Sequence, residues 1–451
     1  MGLKRVLIQS DDGTTVDLLP DTLASLGCSV EVFQNVGQLK NMFKVGTYHA
    51  CFMRVDPHEL KDMLTIESIS KEFPQVLLVG MGEFTDGLSI EHAAMSGCYL
   101  ILRTPINYDD AKHLTEKFIK AGPQKEEIIF ELMHNIIGIN FTPANKKMIH
   151  FRLEKRGKKV HRNSLQEYVD YFFENISTEL NQLISTLTTH TTSFFREPGH
   201  FNFLLDKVFP TLLLQQRPLK IWSASCSTGQ EIYSIAMTFR EYCKDAKVDP
   251  AIRDATKFIA SDVDQKSLEI AKNGVYVADE VEMVSKDMLS EYFDKGTGDL
   301  AGLFRIRNNI YASCKFEQVN LLSNQYPTEN FDIIFLRHTL IYFKEKQLRE
   351  ILEKIVEKLL PGGFLFLSLS ESGFERMISL KSIRPAIFQK ESDQQGTARI
   401  SMTDDVLRKI RVIITDDSQF VRKKLKDILG PESGFEVVGE AENPLELMKL
   451  L

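Results

Sequence analysis

The chain of 451 residues carries 62 acidic and 55 basic side chains for a net charge of −7, and is 43% apolar. That balance is ordinary for globular protein, sets aside a general nucleic-acid binder, and at this length allows about three domains. Six scattered cysteines with no Cys-x-x-Cys pair fit reduced thiols in a cytoplasmic protein, not a zinc site or disulfide frame, and no apolar run is long enough for a membrane span. The N-terminus leads from Met1 straight into a strand pattern, without the apolar region of a signal peptide.

Residues 1–120 alternate strand patterns, at 5–9, 29–33, 49–55, 75–79 and 99–103, with helical ones. Such alternation predicts a doubly wound parallel α/β sheet. The segment resembles a response-regulator receiver domain, with Asp11 and Asp12 after the first strand matching its acidic, metal-binding pair. Arg54 stands where the resemblance places the phosphoacceptor aspartate, Gly80 where a Ser or Thr is usual, and Thr104 where a Lys is usual. An arginine supplies neither a nucleophile nor an oxygen ligand for a metal. A register shift of one or two residues would put Asp56 there instead. The expectation is a degenerate receiver used for contacts with a signalling protein.

Ala121-Gly122-Pro123 reads as a linker, and 123–200 as mostly helical. Lys146, Lys147, Arg152, Lys155, Arg156, Lys158, Lys159 and Arg162 crowd one stretch. A solvated helix face and a dock for an acidic protein surface both fit it; nucleic acid fits worse, because no aromatics are interleaved. The segment His190-Thr191-Thr192-Ser193-Phe194-Phe195-Arg196-Glu197 follows. Taken alone, it fits a small core satellite whose arginine stem lies on apolar surface.

Residues 201–392 resume the α/β pattern. Pro218 to Ser223 reads as a strand, Ala224 to Gly229 as a turn of small residues, and Gln230 to Met237 as a helix. Small side chains at such a turn let a ligand approach the backbone. The next strand, 257–262, ends in Asp262, where a ribose-binding acid sits in nucleotide-type folds. Only Gly229 of a phosphate-gripping Gly-x-Gly-x-x-Gly is present, so the ligand reads as one with ribose and no pyrophosphate, which S-adenosylmethionine satisfies. Strands at 315–322, 331–338 and 364–368, a helix over 347–360 and an edge strand near 383–390 complete the pattern. A glycine-bearing interruption at 286–314 predicts a β-hairpin insertion.

Together, Phe194-Phe195-Arg196-Glu197, Trp222 to Glu231, Ser261-Asp262-Val263-Asp264, Val319-Asn320-Leu321-Leu322, Arg337-His338 with Ile341-Tyr342-Phe343, and Leu360-Pro361-Gly362-Gly363 resemble the chemotaxis-receptor methyltransferase family, CheR, across about residues 123–392. The resemblance implies a helical N-terminal subdomain (123–200) on a class I, Rossmann-like S-adenosylmethionine methyltransferase domain (201–392) with a small β insertion. It implies a protein-glutamate O-methyltransferase acting on chemoreceptors in sensory adaptation. It implies cofactor contacts at His190, Thr192, Arg196, Glu231, Asp262, Asn320, Leu321, Arg337 and His338, with Tyr342 near the transferred methyl, Arg196 positioning a carboxylate, and no metal. The basic stretch would meet the receptor's acidic helical bundle, and the insertion would clasp a receptor C-terminal peptide. His190 and His338 stand where the family commonly has Asn, and Leu369 replaces a usual His. The alternative is a non-catalytic scaffold or cofactor sensor in a two-component pathway.

Residues 393–409 read as a polar linker. From 410 a second receiver-like pattern begins, with Asp416 and Asp417 as its acidic pair, a helix at 419–429 and a strand at 435–438. Its phosphoacceptor strand does not appear by Leu451. Two strands do not bury a sheet alone, so 410–451 reads as part of a longer fusion.

Overall fold

The computed structural model describes residues 3–10, 19–85, 87–122, 124–391, 410–415, 422, 426 and 435–442. Asp11, Asp12, Pro123, the 393–409 linker, and Asp416 and Asp417 lie outside the described residues. The chain divides into two units, Met1–Ser392 and Asp393–Leu451.

The first unit opens with five parallel strands: β1 (Lys4–Gln9), β2 (Cys28–Phe33), β3 (Ala50–Arg54), β4 (Leu77–Gly82) and β5 (Leu100–Arg103), in the order β2-β1-β3-β4-β5. This is the doubly wound order of receiver-type sheets, and all five strands fall where the alternation predicts them. Arg54 closes β3, and its N–H donates to Gln9 Oε1 at 3.1 Å. Asp56 lies two residues beyond the strand in a turn. Its N–H donates to Asp62 Oδ2, and its Oδ1 accepts from His58 N–H, both at 2.9 Å.

Four helices follow, Lys125–Ile137, Pro143–Lys159, Leu165–Glu174 and Ile176–Leu187. Their starts carry local signals: Pro143 opens the second after Thr142, and Ser164 Oγ accepts the Glu167 N–H at 3.2 Å before the third. The first ends at Gly138, whose φ of +76° favours glycine. The receiver-like domain is not a bead on a string. Phe84, Ile90, Ala93 and Ala94 of that domain share one core with Ile129, Ile136, Leu180, Leu183 and Ile184 of the helices.

The methyltransferase sheet has seven strands in the order β11-β7-β6-β12-β13-β15-β14. They are β6 (Lys220–Ser223), β7 (Lys257–Asp262), β11 (Cys314–Gln318), β12 (Phe331–Phe335), β13 (Leu359–Phe366), β14 (Lys381–Arg384) and β15 (Ile387–Gln389). The first five run parallel, and β14 and β15 form an antiparallel edge of two strands where the sequence predicts one. The central strands are covered on both faces, which is why they read as apolar runs. Phe194, Phe201 and Phe203 belong to this core, so the methyltransferase layer begins before the expected boundary at 200.

The insertion is larger than the predicted hairpin. It is a three-stranded antiparallel sheet in which β10 (Leu303–Ile306) lies between β8 (Val275–Val277) and β9 (Phe293–Lys295). Its first strand precedes residue 286, and at three residues it is too short to carry a readable alternation. In the second unit, β16 (Ile410–Thr415) pairs in parallel with β17 (Phe435–Ala441), at the two predicted strand positions.

Candidate cofactor cleft

The sheet reverses its winding between β6 and β12, the place where doubly wound folds open a crevice at their strand ends. A cleft of about 450 Å³ lies there, walled on the other side by the helical domain. Of the residues the resemblance marks, His190, Thr192, Arg196, Glu231, Asp262, Arg337, His338 and Tyr342 line it. Asn320 and Leu321 do not. Asn320 Nδ2 donates to Ile136 O at 2.5 Å, and Leu321 is buried in the core beneath β12.

The turn after β6 is held from several sides. Ala224 N–H donates to Phe335 O and Cys226 N–H to Ser261 O, both at 2.8 Å. Ser227 takes a left-handed φ of +49°, and Gly229 follows at +95°. A Cβ on Gly229 would lie 2.9 Å from the Ala271 Cβ and 3.0 Å from the Tyr276 hydroxyl, so only glycine fits. This geometry aims the Ser227 N–H at Asp262 Oδ2 (2.8 Å), while Asp264 N–H donates to Oδ1 (2.9 Å). Each carboxylate oxygen thus keeps an acceptor position. Burial pushes the Asp262 carboxyl upward, opposed by these two N–H bonds.

Next to it lies a buried charge network. Arg337 Nη1 donates to Glu231 Oε2 and Nη2 to Glu197 Oε2, both at 2.8 Å, while Nη2 also reaches Arg196 O at 2.6 Å. The Arg337 side chain is 2% exposed. Ser223 Oγ donates to the other Glu231 oxygen at 2.7 Å. Burial raises the Glu231 carboxyl, with Arg337 opposing. Burial also pushes Glu197 upward, but Arg337 outweighs it and holds that carboxyl below its ordinary range.

Two imidazoles flank Glu197. His338 Nε2 lies 3.4 Å from Oε1 and His200 Nδ1 3.4 Å from Oε2. Among the described residues, neither His200 ring nitrogen nor His338 Nε2 has a hydrogen-bond partner. Burial, then the Arg337 charge, depress His200 to about 4, against the attraction of Glu197. His338 is lowered too, by burial and by Arg196. A group whose folded pKa is depressed contributes stability that is lost as pH falls from its unfolded value, here from about 6.5 towards 4. His200→Phe removes that loss. The stability gap between variant and wild type should widen by about 2 kcal/mol in favour of the variant between pH 7.5 and pH 5, read from denaturant midpoints. A gap independent of pH would contradict the buried neutral imidazole.

Sequence reasoning missed Glu197 and Glu371 as site residues. Glu371 is fully buried and accepts the N–H groups of His338, Thr339, Leu340 and Ser368. It fixes the turn on which His338 stands at φ +59°, so the loop keeps an anchor although Leu369 replaces a histidine. His190 is committed to structure. Its Nε2 lies 2.8 Å from Ser185 O, and its Nδ1 lies 2.9 Å from Ser267 Oγ. Arg196 Nη1 donates to Thr191 O at 2.8 Å, and among the described residues the rest of its fork makes no hydrogen bond.

The mainly parallel sheet, its switch point and the acid closing β7 are those of a doubly wound nucleotide-type fold, and the match to a SAM-binding methyltransferase domain makes it a class I, S-adenosylmethionine-dependent methyltransferase. The chain belongs to the CheR family. Residues 190–385 match the CheR methyltransferase SAM-binding domain, and residues 126–188 match the family's all-alpha domain. It is 35% identical over 257 residues to the chemotaxis protein methyltransferase of Escherichia coli, covering 56% of this chain and 86% of that protein. It is 32% identical to chemotaxis protein methyltransferase 2 of Pseudomonas aeruginosa, covering 57% of this chain and 90% of that protein. A response regulator structure from Thermotoga maritima covers 26% of this chain and 98% of its own, at 19% identity and a TM-score of 0.24; the strand order, not this likeness, carries the doubly wound, receiver-like fold. Among the described residues no helix is long and apolar enough to cross a membrane.

Proposed function

We propose that this cleft O-methylates glutamate side chains on the cytoplasmic domain of a chemoreceptor. The carrying observation is the Asp262 carboxylate, fixed by two backbone N–H groups and facing the cleft with acceptor positions to spare. That suits the two hydroxyls of a ribose. Arg196 and Glu231 would take the charged amino-acid end, with Arg337 and His338 beside them.

When bound, S-adenosylmethionine supplies a methyl carbon activated by its sulfonium, which passes to the acceptor carboxylate without any proton being moved. A glutamate is already ionised at neutral pH, so the protein needs no general base. Its residues bind, orient and exclude water, which favours a step in which opposite charges disappear. Tyr342, 38% exposed at the mouth, would wall the acceptor side, and Arg196 would orient a carboxylate.

The basic stretch divides its labour. Arg156 binds buried Glu179 through two 2.7 Å bonds, and Arg152 Nη1 donates to Leu187 O and Thr188 O, steadying the approach to His190. Lys147, Lys155, Lys158 and Lys159 are exposed and remain for an acidic receptor helix bundle. The exposed edge strand β8 offers a place for a receptor C-terminal peptide to add on.

The test is transfer of labelled methyl from S-adenosylmethionine to a receptor cytoplasmic fragment. Base-labile label on glutamate, lost with Arg196→Ala, is expected. Cofactor binding without transfer to any of a panel of receptor fragments would defeat the reading.

A further inference from the structure

The helix Gly87–Met95 of the receiver-like domain begins against the methyltransferase. A Cβ on Gly87 would fall 2.2 Å from Asn320 Nδ2 and 2.6 Å from Ile136 O. Those two atoms are bonded to each other, and Asn320 Oδ1 accepts the Leu322 N–H at 3.0 Å. Three domains therefore meet at Gly87, Ile136 and Asn320. Two residues along, a Cβ on Gly138 would strike the Phe343 ring at 2.5 Å and Leu322 Cδ1 at 3.0 Å. Phe343 follows Tyr342. The loops after β11 and β12 both rest on the C-terminal turn of helix Lys125–Ile137, and Gly87 bears on the same turn.

This contact is anchored. Ile90, Ala93 and Ala94 of the receiver helix are fully buried in the core shared with helices Lys125–Ile137 and Ile176–Leu187. A shift of the helix start cannot be absorbed locally. It must move the Ile136 carbonyl, a backbone atom, or the Asn320 amide bound to it.

We propose that the receiver-like domain is an intramolecular effector of the methyltransferase, with Asn320 as the positioning residue. Gly87 lets Asn320 bind Ile136, that bond holds the turn 136–138, and this turn sets affinity for S-adenosylmethionine through Ile137 and, packed on Gly138, Phe343, both of which line the cleft. The proposal rests on the reading of the cleft as the cofactor site. Coupling of this kind is reciprocal, so cofactor steadies the receiver helix as much as the helix favours cofactor.

Two measurements on the full chain test it. The first is calorimetry with S-adenosylhomocysteine. Gly87→Ala should weaken binding by about fivefold or more, the lower range of allosteric coupling. At saturating cofactor its turnover should change by less than about twofold, because the change acts on binding. In an Asn320→Ala background, Gly87→Ala should cost clearly less than it does in the wild type, since the clash with the amide is gone and only that with the Ile136 carbonyl remains. Wild-type affinity in folded Gly87→Ala, or full additivity of the two substitutions, overturns the proposal. The second needs no variant. Saturating S-adenosylhomocysteine should slow amide exchange across Gly87–Met95 in the wild type while leaving Val36–Val45 unchanged. Protection confined to the cleft, with none at Gly87–Met95, overturns it equally. Absence of any binding by the wild type is a different failure, of the cofactor reading beneath.

Discussion

Asp262→Ala is expected to reduce kcat/KM for methyl transfer by about a hundredfold or more, the size expected when two bonds to a charged acceptor are lost. Most of the loss should appear as weaker cofactor binding. Its carboxylate has two tasks. It accepts the Ser227 and Asp264 N–H groups, and it offers its remaining acceptor positions to the cleft. Alanine abolishes both and leaves two backbone donors without that partner, so the fold should also lose about 1–3 kcal/mol per orphaned group. Asp262→Asn separates the tasks. The amide oxygen still accepts one N–H, while the amide nitrogen opposes the other and offers a donor where the ribose reading requires acceptors. It should keep more stability than alanine and still fail to bind. Calorimetry with S-adenosylhomocysteine beside a thermal melt decides the point. Wild-type affinity in folded Asp262→Asn would remove Asp262 from the cofactor site.

The parts legible in the sequence are those where local pattern and local geometry coincide. The receiver strands alternate with helices at close spacing. The turn Ala224 to Gly229 announces itself by small residues, and Asp262 by closing an apolar strand. What was not legible depends on contacts across long separations. Glu197 meets Arg337 from 140 positions away, and Asn320 reaches Ile136 from 184. Neither residue carries any local mark of its partner. Asn320 was expected on the cofactor because the resemblance puts it there, yet its amide is occupied at the domain junction. Helix Gly87–Met95 sets Glu91 and His92 among small and apolar residues that suit any half-buried helix, so nothing in its pattern announced that it would face a second domain. The basic run misleads in the opposite way. Arg152 and Arg156 look like their exposed neighbours in sequence, but helical periodicity turns them inward onto the Leu187 carbonyl and Glu179.

Arg337→Met is expected to be the most destabilising single change in the site. Removing one member of a buried ion pair costs about 3–5 kcal/mol, because the partner charge stays behind without compensation. Here two partners stay behind, Glu197 and Glu231, and Arg196 O loses a donor. The pH dependence identifies the cause. Burial already pushes Glu231 upward against Arg337, and Glu197 lies below its ordinary range because Arg337 outweighs its burial. In the variant both folded-state carboxyls move up. An acid with a raised folded pKa destabilises the fold above that pKa and ceases to do so as it takes up its proton. Relief of His200 from the Arg337 charge acts in the same direction. The deficit of Arg337→Met relative to wild type should therefore be full at pH 8 and shrink towards pH 5. Adding Glu231→Gln should recover part of the loss at pH 8 and little at pH 5. Denaturant midpoints of the single and double variants at the two pH values test this. A deficit that stays constant with pH would assign Arg337 a packing role and remove the charge network from the account of the site.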